Sequence, residues 1–101
     1  MPKLFEYFGL IVLFYSNEHD PVHVHGVYRD QESRAELILR NGKVVRIRYL
    51  QVRGRRPLGT RQMRNFRRIV EQYRDDIVAR WVDFFVLHKR IEPQVIHRRL
   101  Q

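Results

Sequence analysis

Asn41-Gly42 sits between two stretches that alternate apolar and polar residues, Ser33 to Leu39 and Val44 to Val52. Asn-Gly is the dipeptide that most readily takes positive φ at both centres of a tight turn, so this segment is committed to a β-hairpin. Its register follows from burial. A two-residue loop would set Leu37 against Arg46 and mix apolar with charged side chains on each face. A loop one residue longer, with a bulge at Gly42, pairs Leu39 with Val45, Leu37 with Ile47 and Ala35 with Tyr49. It also sets Glu36 against Arg48, a favourable cross-strand charge pair. A one-residue slip would turn every side chain to the wrong face, so the bulged register is expected.

The rest of the chain is read around this hairpin. Gly9 to Tyr15 is apolar at every position but its polar tip and rich in β-formers, as expected of a central buried strand. Asn17 to Pro21 is a turn by composition. Val22 to Tyr28 makes a further strand, with Val22 and Val24 on one face and His23, His25 and Val27 on the other. Arg53 to Gly59 is a basic connecting loop (53–59). Thr60 is expected to cap a long helix over 60–86. There Met63, Phe66, Ile69, Val70, Tyr73, Ile77, Trp81, Phe84 and Phe85 recur at three- and four-residue steps as one apolar stripe. Trp81, Phe84 and Phe85 serve the core, or a partner chain if the helix outruns the sheet. In the tail (87–101), broken at Pro93, Val95-Ile96 and Leu100 suit a short helix or a last strand.

The expected architecture is therefore a single α+β domain over 1–101. A small antiparallel β-meander of about four strands, within 1–52, is packed by one long C-terminal helix.

Charge divides the chain unevenly. Residues 1–45 carry five Lys or Arg against six Asp or Glu, whereas residues 46–101 carry fifteen against five, giving the net +9. Arginine supplies most of the excess, and it is the usual residue for bidentate contacts to phosphate or carboxylate. Arg46, Arg48, Arg53, Arg55, Arg56, Arg61, Arg64 and Arg68 are the candidate contacts to nucleic acid. An acidic partner protein is the second kind of partner that such a surface fits. The chain has no cysteine, which excludes disulfides and thiolate metal sites. The start, Met1-Pro2-Lys3-Leu4-Phe5-Glu6, lacks the pattern of a signal peptide. The longest apolar run, Leu10 to Tyr15, is too short to cross a bilayer. A cytoplasmic location is expected, without membrane association.

Three of the five histidines fall in Glu18-His19-Asp20-Pro21-Val22-His23-Val24-His25. On a strand His23 and His25 share a face, and His19, just before, is placed to fold back toward them. Glu18 or Asp20 can orient a ring or add an oxygen ligand. These residues leave four readings open. His19, His23 and His25 can do metal-free acid–base chemistry on a phosphodiester, with an arginine stabilising the developing charge. They can instead hold zinc or another divalent transition metal. They can bind phosphate alongside the arginines, or they can simply cover a half-exposed strand.

The sequence resembles a family of small bacterial proteins known as domain of unknown function 4160. The likeness rests on Met1-Pro2, the Gly9 to Tyr15 strand and above all the Glu18 to His25 segment, where the family pattern is acid-His-x-Pro-Pro-His-aromatic-His. The Asn-Gly hairpin, the helix ending near Trp81 and Leu87-His88-Lys89 are also similar. Val22 stands where a second proline is usual, and Val24 where an aromatic is common; neither change touches a polar group. The resemblance implies a compact α+β fold and a place in a two-gene module, beside another small protein in the manner of toxin–antitoxin pairs. It brings no established activity.

The resulting expectation is an RNA- or DNA-interacting domain, RNA before DNA, and a toxin-like member of such a pair. Arginines hold the phosphate backbone, and His19, His23 and His25 form the functional centre. If the chain is an enzyme, the chemistry is ribonuclease-like, metal-independent and free of cofactors. The alternatives are a histidine-based metal-binding protein and a non-enzymatic adaptor that docks an acidic partner.

Overall fold

The computed structural model describes residues 2–15 and 21–101. The chain runs β1 (Lys3–Tyr7), β2 (Leu10–Leu13), β3 (His23–Tyr28), β4 (Gln31–Arg40), β5 (Lys43–Gln51), α1 (Thr60–Gln72), α2 (Arg74–Trp81), a π-helical turn (Val82–Val86) and β6 (Gln94–Val95). Among the described residues the sheet has six strands, in the order β5-β4-β3-β2-β1-β6. Five form an antiparallel meander, and β6 adds in parallel to β1. The fold class is α+β, with two more strands than the four expected.

Both extra strands lie at the chain termini. The first hairpin turns through Phe8 and Gly9, both at positive φ (46° and 90°). This two-residue turn pairs Tyr7 with Leu10 and Glu6 with Ile11. The last strand is the Val95 segment of the tail. Its position is locked where the Ile96 N–H donates to the Glu6 carbonyl at 2.9 Å and the Leu100 N–H donates to the Tyr7 hydroxyl at 3.0 Å.

At the Asn41-Gly42 hairpin Leu37 pairs with Ile47, Ala35 with Tyr49 and Glu36 with Arg48, as expected. The extra residue lies elsewhere. Arg40 pairs with Lys43 and Leu39 with Val44, so the loop has two residues, and the bulge lies in β5, where Val45 is the extra residue opposite the Ile38–Leu39 step of β4. Asn41 at φ 54° and Gly42 at φ 79° form the tight turn that an Asn-Gly pair prefers. Val45 takes up the register shift and is 58% exposed. The turn and the burial pattern are thus both satisfied, one after the other.

The long helix is also corrected. A straight helix over 60–86 would be about 40 Å long at its usual rise, beyond the 32 Å longest dimension of the molecule. The chain bends at Tyr73 (φ −111°, ψ 20°), whose ring packs on Phe5 at 4.8 Å. Beyond Trp81 the helix widens into the π-helical turn, closed by the Leu87 N–H to the Val82 carbonyl at 2.9 Å. Both adjustments keep the apolar stripe on the sheet. Nor does Thr60 cap the helix: Gly59 holds the cap position, without a side-chain hydrogen bond. Losing a cap costs about 1 kcal/mol, whereas burying Phe66, Ile69 and Val70 contributes roughly 1.5–3 kcal/mol each. Packing therefore decides where α1 forms.

One core cluster joins Phe5, Val12, Val24, Ala35 and Leu37 of the sheet to Phe66, Ile69, Val70, Ile77 and Trp81 of the helices. A Cβ added at Gly26 would meet the Phe66 ring at 2.7 Å, so α1 rests directly on β3 at this point. Side chains alternate along a strand, so His25 and Val27, the neighbours of Gly26, point to the face away from α1. Among the described residues no helix is long and apolar enough to cross a membrane.

Candidate functional site

His23 and His25 lie on β3 with their rings 5.3 Å apart, and each is 5% exposed. The third expected member, His19, lies outside the described residues, as do Glu18 and Asp20. The His23 Nδ1–H donates to the Pro21 carbonyl at 2.7 Å, which assigns the basic lone pair of that ring to Nε2. Trp81, from the last turn of α2, reaches both His23 (5.3 Å) and Phe14 (5.2 Å).

Glu32 organises the other side of the pair. On the β3–β4 ladder Val27 pairs with Glu32 and His25 with Arg34, so Glu32 is the diagonal neighbour of His25 on the same face. Its Oε2 lies 3.0 Å from His25 Nδ1 and accepts a hydrogen bond from the Tyr15 hydroxyl at 2.9 Å. The Tyr15 ring packs edge-on against His25 at 4.5 Å. The other oxygen, Oε1, lies 3.4 Å from Arg55 Nε. A carboxylate only 5% exposed is thus compensated by three partners, as a buried charge must be.

Arg55 arrives there because the basic loop is tied to the start of β4. The Glu32 N–H donates to the Arg56 carbonyl at 2.8 Å, the Leu58 N–H to Ser33 Oγ at 3.1 Å and the Gly59 N–H to Gln31 Oε1 at 3.1 Å. Gly54 turns the loop at φ 79°.

The same face continues across β4 and β5 as alternating charges. His23 pairs with Glu36, and Glu36 pairs with Arg48. Glu36 accepts Arg34 Nη2 at 3.2 Å and faces Arg48 Nη1 at 3.7 Å. Arg34 Nε has no hydrogen-bond partner among the described residues. Arg46, opposite Ile38, is exposed at the edge strand of this face.

The remaining candidate arginines are distributed differently. Arg53 is exposed in the loop, and Arg56 pairs with Asp30 at 3.2 Å at the surface. Arg61, Arg64 and Arg68 belong to α1, which lies on the other face of the sheet. Arg68 donates to the Leu100 carbonyl at 3.3 Å and so ties down the tail. Beside them, the Arg67 guanidinium sits over the Tyr49 ring at 4.8 Å. Burial, reinforced by Glu71, pushes the Tyr49 phenol up to about 12.

Sequence reasoning named neither Glu32, Tyr15, Arg34 nor Trp81 for this site. The signal for two of them was the turn at Arg29-Asp30, where Tyr28 pairs with Gln31 and Arg29 takes φ 55°. Counting outward from that turn places Glu32 and Arg34 beside His25. Arg-Asp is a weak turn signature, because the positive φ falls on Arg29, and arginine does not favour it as glycine or asparagine does.

The histidine pair, backed by a carbonyl and a carboxylate, thus sits on the face of β3 turned away from α1, with Trp81 of α2 against His23. Residues 9–82 match the family described as Domain of unknown function (DUF4160), and the chain belongs to that family. The match spans β2 to α2, including the histidine pair, Glu32, the basic loop and Trp81. No curated protein and no solved structure matches the chain.

Proposed function

We propose that the protein interacts with nucleic acid, RNA before DNA, through the sheet face that carries the histidine pair. The contact between Glu32 and Arg55 carries this reading, because it joins the basic loop to the histidine centre. Arg34, Arg46, Arg48 and Arg55 hold backbone phosphates. In the catalytic version His23 Nε2 takes the proton of a ribose 2′-hydroxyl as its oxygen attacks phosphorus. His25, oriented by Glu32, protonates the departing 5′ oxygen, and an arginine stabilises the charge on the phosphorane. One bond to phosphorus forms and one breaks, leaving a cyclic phosphate and a free 5′-hydroxyl. A toxin-like role in a two-gene pair agrees with such an activity.

Incubating RNA with purified protein in the presence of chelator tests the chemistry. Cleavage by the native protein that is lost in His23→Ala and reduced in Glu32→Gln supports it. Cleavage that survives His23→Ala overturns it.

A second reading is favoured by one observation. The carbonyl behind His23 and the carboxylate behind His25 are the kind of backing that metal-ligating histidines have. Among the described residues no group of three or more His, Asp or Glu side chains is placed to hold a metal ion. Elemental analysis after zinc supplementation separates the two: stoichiometric metal that His23→Ala removes supports the metal-binding reading.

A further inference from the structure

Past Trp81 the chain builds a feature that the histidine centre does not use. The π-helical turn presents Phe84 and Phe85 edge-to-face, with centroids 4.8 Å apart and planes at 90°. His88 then takes φ 55°, in the left-handed region, and the Lys89 N–H donates to the Asp83 carbonyl at 2.7 Å. This exit folds His88, Lys89 and Arg90 back over the two rings. Together the five side chains line a concavity of about 450 Å³. Asp83 and Glu92, the acids of the segment, are not in its lining, so its charged wall is cationic, although Glu92 Oε1 stands 4.0 Å from Arg90 Nε at the exposed rim. Val86 and Leu87 of the same turn are 61% and 51% exposed. The concavity is next to the histidine site through a shared wall: Phe85 packs on Trp81 at 4.2 Å, and Trp81 lies 5.3 Å from His23. It falls outside residues 9–82, the part that carries the family match.

An aromatic floor with a cationic rim is complementary to a planar base carrying an anionic backbone. We propose that this concavity receives an unpaired nucleobase of single-stranded RNA. Phe84 stacks on the base, and Lys89 and Arg90 hold the adjoining phosphates. The proposal rests on the nucleic-acid reading above and adds to it the strand state of the substrate. A duplex keeps its bases stacked on one another, and stacking here requires a base that is already free.

The test uses the full chain and fluorescence anisotropy of a short labelled RNA, alone and annealed to its complement, at physiological salt. Native protein is expected to favour the single strand. Phe84→Leu keeps most of the volume but removes the π-face, and should weaken single-strand binding about tenfold while leaving duplex binding unchanged. Lys89→Ala combined with Arg90→Ala should weaken binding and flatten its salt dependence. Arg34→Ala and Arg48→Ala report on the sheet face separately. If the native protein binds neither RNA, the nucleic-acid reading and this subsite fall together. If the sheet-face variants lose affinity and folded Phe84→Leu does not, only the subsite is overturned. If Phe84→Leu instead loses affinity for polyglutamate and not for RNA, the concavity is a protein-docking surface and the proposal is overturned. Photocrosslinking of thiouridine-substituted RNA to the native chain covers the case of a variant that fails to fold. Adducts within 84–90 support the subsite, and adducts confined to β3–β5 overturn it.

Discussion

Glu32 stands diagonally across from His25, with its carboxylate 3.0 Å from the Nδ1 atom of that ring. The same carboxylate accepts from Tyr15 and faces Arg55, so one side chain connects three chain segments. Glu32→Ala should therefore cost roughly 2–4 kcal/mol of stability, because it strands partners that were arranged around a buried charge. Glu32→Gln, which keeps shape and one acceptor, should cost less. Urea denaturation with an unchanged m-value measures both. Equal stability of Glu32→Ala and the native chain would show that the cluster contributes nothing to the fold.

Two glycines separate steric from conformational cost. At Gly26 an added Cβ would meet three Phe66 ring atoms at 2.7–2.9 Å, in a part of the core with no exposure. Gly26→Ala is expected to cost about 1–3 kcal/mol through overpacking, and Phe66→Leu in the same chain should recover part of that loss. At Gly42 no described atom lies within 4 Å of such a Cβ, and only the φ of 79° resists a side chain. Gly42→Ala should cost about 1 kcal/mol, with no rescue by Phe66→Leu. Thermal melts of the three single and two double variants decide the matter.

The parts legible in the sequence were those set by local pattern. The Asn-Gly turn, the two-residue period and the Glu36–Arg48 pair fixed the β4–β5 register up to the bulge. The alternation of Val22 to Val27 placed His23 and His25 on one face. What was missed or left open required tertiary information. Lys3–Tyr7 has only a Phe-Gly turn to announce it, and the tail, open between a short helix and a last strand, becomes the strand Gln94–Val95 because β1 lies beside it. The helix bends at Tyr73, whose ring packs on Phe5, a contact that no local pattern announces. Glu32 joins the histidines through a turn whose residues, Arg29-Asp30, give only a weak turn signal, and Arg55 joins through backbone hydrogen bonds of its loop.

Tyr49 makes an alkaline prediction. Its phenol oxygen is buried without a hydrogen-bond partner among the described residues, and burial raises it from 10.0 to about 12. The protonated form is thus favoured in the folded state. Its stabilising contribution is complete below pH 10 and is lost between pH 10 and about 12, as the unfolded chain ionises first. The loss should stay at about 1–2 kcal/mol, because the ring is only partly buried and solvent screens it. Tyr49→Phe should abolish this alkaline slope and raise stability at neutral pH by about 1 kcal/mol, since no buried hydroxyl is left unpaired. Urea midpoints across pH 8 to 11.5, a range set by that shift, check the sign.

The division of the arginines between two faces gives the sharpest prediction about RNA. Arg46 and Arg48 sit on the sheet face with the histidine pair, whereas Arg61 and Arg64 are exposed on α1 across the sheet. All four are surface residues, so none of their alanine variants should change stability by more than about 0.5 kcal/mol. Only the first pair should change binding. Every phosphate of a single strand that is no longer neutralised lowers the slope of log affinity against log salt by about 0.7. Arg46→Ala with Arg48→Ala should therefore flatten the salt dependence by about twice that amount, and Arg61→Ala with Arg64→Ala should leave it as it is. A larger effect from the α1 pair would move the nucleic-acid surface to the helical face, away from the histidines, and would leave the acid–base chemistry without a substrate.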